Sequence, residues 1–241
     1  MLEVWRMDTF VAPQLSLRES GWRVALEGLP QWSPPQRQTV VISPHPDDET
    51  LGAGGLIASQ RQFGLPVIVI AVTDGEAVYN GAPGIATLRR AEQIAALAEL
   101  GIDAPAVIRL GLPDGGVAAM EDELEKLVAP FVQRDTLLVS TWRHDPHADH
   151  EACGRVAERL AMQANAELIS YMFWAWQSNS VESMLGLPMH RFELSKQIQA
   201  ARAVALAHYQ SQFQWEDGQV SLPPEVLGPA QRSFETFIIS K

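Results

Sequence analysis

The sequence predicts a three-layer α/β fold, with a mostly parallel sheet between two layers of helices, and three observations carry that expectation. From Thr39 onward, short apolar runs of strand length alternate with stretches of helical apolar period. The intervals between runs are long enough for a helical crossover, which joins parallel strands in right-handed βαβ units. The length of 241 residues suits one such domain with a substantial core.

Residues 1 to 38 read as a mixed N-terminal extension that closes on the turn-rich Trp32-Ser33-Pro34-Pro35-Gln36, and residues 39 to 241 read as a single domain. Thr39-Val40-Val41-Ile42 is a first buried strand, followed by a helix from about Glu49 to Phe63. Pro66 to Val72 is a second strand. Ala86 to Leu100 has 3.6-period apolar spacing and stops at Gly101. Ala106 to Leu110 gives a third strand and Met120 to Val132 a third helix; Thr136 to Ser140 gives a fourth strand and His150 to Ala164 a fourth helix. Leu168 to Trp174 and Met189 to Leu194 follow as strands, and Ser195 to Tyr209 as a long helix. The remaining stretch, with Leu222-Pro223-Pro224 and Gly228-Pro229, is turn-rich and is expected to wrap the surface.

Composition narrows the partners. Hydrophobic residues make up 46% and charged residues 20%, as in an ordinary globular protein. The net charge of −11 is not offset by any basic run, which excludes nucleic acid and anionic membrane surfaces as expected partners. The single cysteine, Cys153, excludes an intrachain disulfide, fits a reducing cytosol and sits on an apolar helix face as core. Charges at Glu3, Arg6, Asp8, Arg18 and Glu19 interrupt any signal-peptide core. No apolar run reaches the roughly 20 residues that cross a bilayer. A cytoplasmic protein is expected, with a homo-oligomer left open.

In such a fold, ligands collect at the carboxyl ends of the strands. Four polar loops follow the first four strands there. They are Ser43-Pro44-His45-Pro46-Asp47-Asp48-Glu49, Thr73-Asp74-Gly75-Glu76, Gly111-Leu112-Pro113-Asp114-Gly115-Gly116 and Arg143-His144-Asp145-Pro146-His147-Ala148-Asp149-His150. The first is not a dinucleotide turn. Its glycines, Gly52, Gly54 and Gly55, come after the turn, and Asp47, Asp48 and Glu49 would repel a pyrophosphate at the helix N-terminus. Capping alone is the bland alternative for those acids. Pro44 and Pro46 stiffen the loop around His45, and three histidines crowd the fourth loop. Imidazole and carboxylate suit a catalytic zinc, which takes three protein ligands and keeps one open position. His45 and Asp48 with one histidine of the fourth loop would form such a His₂Asp site for a hydrolytic metal.

At these residues the chain resembles the PIG-L/LmbE-like family of zinc-dependent N-deacetylases. Pro44 to Glu49 is similar to the first family signature, and His147-Ala148-Asp149-His150 to its His-Pro-Asp-His signature, with Ala148 in the Pro position. Thr73 to Glu76, Arg89-Arg90-Ala91-Glu92 with Leu100-Gly101, Leu112 to Gly115, and Lys196 through His208 with Ser211-Gln212 also fit the family pattern. The likeness runs from about Thr39 to Gln212 and implies a Rossmann-like fold. It further implies zinc on His45, Asp48 and His150, with Asp47 as general base. His147 would stabilise the oxyanion or protonate the leaving amine, steadied by Asp149, and Arg89 and Asp114 would lie at the substrate. The implied reaction removes an N-acetyl group from an N-acetylglucosamine-type conjugate. The residues alone leave other readings open. One is another metal hydrolase, such as a phosphoesterase, although the loops offer few cations beyond Arg89, Arg90 and Arg143. Another is a non-catalytic metal-binding protein, and iron or manganese is an alternative to zinc.

Three further readings concern single residues. Trp142 is the better sugar-stacking candidate and Phe173-Trp174-Ala175-Trp176 the poorer one. Asp145 either supports a ligating histidine or caps a turn, and Glu49 caps the helix or buttresses the loop. His208 lies beside the site by family pattern, or on a helix surface.

Overall fold

The protein is described as a computed structural model covering residues 17–215 and 218–239; residues 1–16 of the N-terminal extension lie outside the described residues. Strands β1 (Thr39–Ser43), β2 (Val67–Ala71), β3 (Val107–Arg109), β4 (Leu137–Thr141) and β5 (Glu167–Tyr171) pair in parallel. β1 and β4 are buried along their whole length, which is why they read as continuous apolar runs rather than alternating ones. Two antiparallel strands follow: β6 (Met189–Glu193) pairs with β7 (Phe234–Ile239), and β7 with β5. Among the described residues the sheet has seven strands in the order β3-β2-β1-β4-β5-β7-β6.

Helices α2 (Asp48–Gln62), α3 (Ile85–Glu99) and α6 (Lys196–Leu206) cover one face through Leu56, Ile57, Leu97 and Ile198. On the other face lie α4 (Glu121–Val128) and α5 (Ala148–Ala164), through Leu124, Val128, Val156 and Leu160. Gly52 lets α2 approach the sheet: a Cβ there would stand 2.1 Å from the Tyr171 ring. The glycines that resembled a phosphate turn thus serve packing. Among the described residues, no helix is long and apolar enough to cross a membrane.

One expectation is corrected. The C-terminal stretch does not merely wrap the surface, because its end, β7, is a buried strand inserted between β5 and β6. The Glu235 carboxylate of β7 is buried and accepts from Gly55 N–H and Leu56 N–H of α2 at 2.6 and 2.8 Å, paired with Arg202. The described part of the N-terminal extension packs on the elements that follow it. Helix α1 (Leu17–Leu26) buries Trp22 and Leu26 against Trp176, Met184 and Phe234. Its Glu19 forms a buried bidentate pair with Arg232 at 2.9 and 2.8 Å.

The strand order places the topological switch at β1, which has β2 on one side and β4 on the other. β1 and β4 run in register from Thr39 opposite Leu137, so their carboxyl ends stand level. A crevice forms at such a point. Its walls here are the two loops richest in histidine and aspartate.

Candidate metal centre and active site

Beyond β1 the chain turns through Pro44-His45-Pro46-Asp47 into α2. Thr73, at the start of the loop after β2, fastens this turn, donating to the Pro44 carbonyl from its N–H and its Oγ1 at 3.1 and 2.8 Å. His45 N–H donates to Asp48 Oδ2 at 2.9 Å. Asp47 has φ 135° and ψ −31°, a region glycine favours. Its carbonyl accepts from Thr50 and Leu51, and its side chain meets Arg89 Nη2 at 3.3 Å. On the far side of the crevice α5 begins at Ala148 rather than at His150, because His147 serves as its N-cap, Nδ1 accepting from Asp149 N–H at 3.3 Å.

Three atoms converge between the loops. Asp48 Oδ2 lies 3.0 Å from His45 Nδ1 and 3.2 Å from His150 Nε2. Bonds of about 2.0–2.2 Å to a tetrahedral zinc would set neighbouring ligand atoms about 3.3 Å apart. His150 Nε2 is buried and, although it faces Asp48 at ion-pair distance, makes no hydrogen bond. The far nitrogens are both held by carboxylates, as they are in metal-binding histidines. His45 Nε2 lies 3.2 Å from Asp114 Oδ1 and 3.3 Å from Asp149 Oδ2, and His150 Nδ1 lies 2.7 Å from Asp145 Oδ2. Two other donor sets also lie with their ligand atoms within 4.8 Å of one another: His45, His147 and His150, and His45, Asp114 and Asp149. In the second of these the carboxylates are already committed, Asp149 to Gly115 N–H and Val117 N–H and Asp114 to Ala77 N–H. In the first, His147 Nδ1 is occupied as a cap. Asp48 is the carboxylate shared by two imidazoles whose other nitrogens are spoken for.

The electrostatics call for positive charge. Burial lowers the affinity of His150 for a proton, but Asp48 and Asp145 outweigh it and push its pKa up to about 9. Burial acts the same way on His45, and Asp114, Asp149 and Asp48 again prevail, raising it well above its usual value. Asp48 is held well below the carboxylate range, its burial overcome by His150 and His45. Two buried imidazoles that take up protons in this way mark a pocket where a divalent cation would replace proton charge. The donor set, its spacing and the unpaired Nε2 fit such an ion. Asp47 differs: burial drives its carboxyl up to about 8, Arg89 pulls it down, and Asp48 adds to the rise.

The other expected residues divide. Arg89 is buried and committed to the protein: Nη1 donates to the Gly75 carbonyl at 2.9 Å and Nη2 to the Pro46 carbonyl at 3.1 Å, leaving Nε unpaired. It therefore stands behind Asp47. Asp114 adjoins His45, and the Asp149 carboxylate faces His45 rather than the His147 side chain. The His147 ring stands edge-on to His45 at 4.8 Å. His144 is exposed against Trp142, which is half-buried, and His208 is half-exposed and paired with Glu99 at 3.3 Å, away from the centre. Glu49 buttresses the loop, meeting Ser43 Oγ and Gln93 Nε2, while Tyr209 Oη donates to it at 2.8 Å. Tyr209 went unnoticed in the sequence, where 160 positions and no motif separate it from Glu49.

A family model described as GlcNAc-PI de-N-acetylase (PIG-L) matches residues 40–161. The chain belongs to the PIG-L family. That stretch contains both histidine loops, most of α5 and the buttressing carboxylates. Over 143 residues, 55% of this chain, the PIG-L protein is 34% identical to a probable N-acetyl-alpha-D-glucosaminyl L-malate deacetylase 2 of Bacillus subtilis (strain 168). The match spans 64% of that relative's length. Among solved structures, the A40926 pseudoaglycone deacetylase Dbv21 superposes with a TM-score of 0.64 at 22% identity, covering 85% of this chain and 97% of its own. The N,N'-diacetylchitobiose deacetylase of Pyrococcus horikoshii gives 0.62 at 16% identity, covering 85% and 84%. At such identities these two structures speak for a shared fold alone.

Proposed function

We propose that this protein is a metal-dependent N-deacetylase, with zinc as the preferred ion, that removes the acetyl group from an N-acetylglucosamine-type conjugate. The observation that carries the reading is the convergence of His45 Nδ1 and His150 Nε2 on Asp48 Oδ2 with the Asp47 carboxylate beside them. His45, Asp48 and His150 would hold the cation. Once bound, it would supply Lewis acidity at the acyl oxygen and at the attacking water.

The remaining chemistry belongs to the chain. Asp47 adjoins the ligands without sharing their contacts, and its raised pKa suits a carboxylate that takes a proton from water and passes it on. Arg89 aims it. His147, with Nδ1 engaged as an acceptor, keeps its Nε2 for the substrate, where it either donates to the developing oxyanion or hands a proton to the departing amine. One such donor is worth about 2.7–4 kcal/mol. Asp114 and Asp149 fix the His45 ring. The amide C–N bond breaks, water supplies the oxygen of acetate, and the amine leaves protonated. The family match and the Bacillus subtilis relative support the amino-sugar substrate class.

Acetate release from a panel of N-acetylglucosamine conjugates tests this. Zinc-loaded protein is expected to release acetate, a chelator to stop it and added zinc to restore it. Stoichiometric metal without acetate from any conjugate, or with phosphomonoester cleavage instead, would overturn the deacetylase reading. Protein purified without chelator and carrying no divalent metal would overturn the metal centre.

A further inference from the structure

Asp145 lies between the metal loop and the segment that follows β5. It is fully buried. Its Oδ2 stands 2.7 Å from His150 Nδ1 and accepts from Trp174 N–H at 3.2 Å. Its Oδ1 accepts from Phe173 N–H at 3.1 Å and Ala175 N–H at 2.6 Å. Three backbone donors on one carboxylate would make an ordinary turn cap. The fourth contact falls on an imidazole whose other nitrogen has no hydrogen bond and points at the candidate cation position. A carboxylate only accepts, so Nδ1 must be the donor. In the neutral ring Nε2 is then bare, with its lone pair free for a metal.

We propose that Asp145 is the positioning residue for His150, fixing the Nδ1–H tautomer and the ring plane so that Nε2 is presented to the ion. The inference rests on the metal-centre reading above. It adds that the same carboxylate registers the ligand against Phe173 and Trp174, so the ion and that rim of the crevice share one anchor.

Asp145→Asn is the variant of choice. An amide offers one acceptor oxygen and a donor in place of two acceptors, so either His150 or the backbone N–H groups must face another donor. Zinc affinity, read by competition with a chromophoric chelator, is expected to fall about 10- to 100-fold. The visible bands of the cobalt-loaded variant are expected to shift. A lowered melting temperature with zinc affinity and cobalt bands unchanged would reduce Asp145 to a turn cap and overturn the inference. A second measurement needs no variant: nitrogen-15 spectra of the zinc-loaded protein labelled at histidine are expected to show His150 protonated at Nδ1. A proton on Nε2 overturns the inference. Failure of the reaction class shows separately, as absent acetate release with zinc affinity intact, and wild-type protein that binds no zinc overturns the metal centre and this inference together.

Discussion

At position 47 the backbone stays in a region that costs a residue with a side chain about 1–3 kcal/mol, and it does so to aim a carboxylate at the crevice. Comparing two variants that both lack the carboxylate isolates this strain. Asp47→Gly is expected to melt later than Asp47→Ala, by about 1 kcal/mol of stability, since only alanine keeps the backbone penalty. Equal melting would mean the loop relaxes freely. Asp47→Asn is expected to keep stoichiometric metal while losing about 10²- to 10⁴-fold in turnover; metal loss there would make Asp47 a ligand. The meeting of His45 and Asp48 with a histidine of the fourth loop was legible in the sequence, because imidazole and carboxylate within short motifs have few structural uses in common; that the histidine is His150 came from the family resemblance. The partner of Asp149 was not legible. The family resemblance implied His147, whereas the Asp149 carboxylate faces His45.

Helices α4 and α5 are joined by an ionic ladder in which Glu121 receives Arg155 and Arg159, and Glu125 receives Arg159 and Gln163. Burial tends to raise the Glu121 pKa, but the two guanidinium groups outweigh it and hold it below 4.5. A depressed carboxylate contributes stability that is full above its unfolded pKa and is lost as pH falls through the folded one. Glu121→Gln is therefore expected to cost no more than about 1 kcal/mol near neutral pH and nothing in acid. Urea melts at both pH values check this, and an equal loss at both would show that the ladder acts by packing alone. The elements themselves were mostly readable, since apolar period and length locate helices and parallel strands. The start of α5 was not, because a histidine cap lies outside the usual Ser, Thr, Asp and Asn set. Nor was β7, whose buried Glu235 breaks the apolar pattern that marks a core strand.

Across the whole molecule, the residues before β1 and after β6 hold each other as well as the sheet. Arg232 lies over the Trp176 ring at 4.4 Å and pairs with Glu19 of α1. Arg232→Met is expected to cost about 1–3 kcal/mol by removing two buried charge-assisted hydrogen bonds to Glu19, which keeps Arg23 at 3.0 Å. A single variant as stable as the parent in denaturant titration would show that α1 detaches at little cost. No periodicity could reveal this pairing, since its partners lie 213 positions apart. The antiparallel insertion of β7 has a further consequence, for the order of assembly. β6 joins the sheet only through β7, and Gly55 and Leu56 of α2 meet the Glu235 carboxylate 180 and 179 positions downstream. A chain emerging from the ribosome thus displays both histidine loops long before the helix that bears Asp48 is clamped. Such late, distant closure slows folding and prolongs the exposure of an open strand edge. Cation capture should accordingly lag behind the appearance of helical structure in refolding, arriving with the strand that closes the sheet.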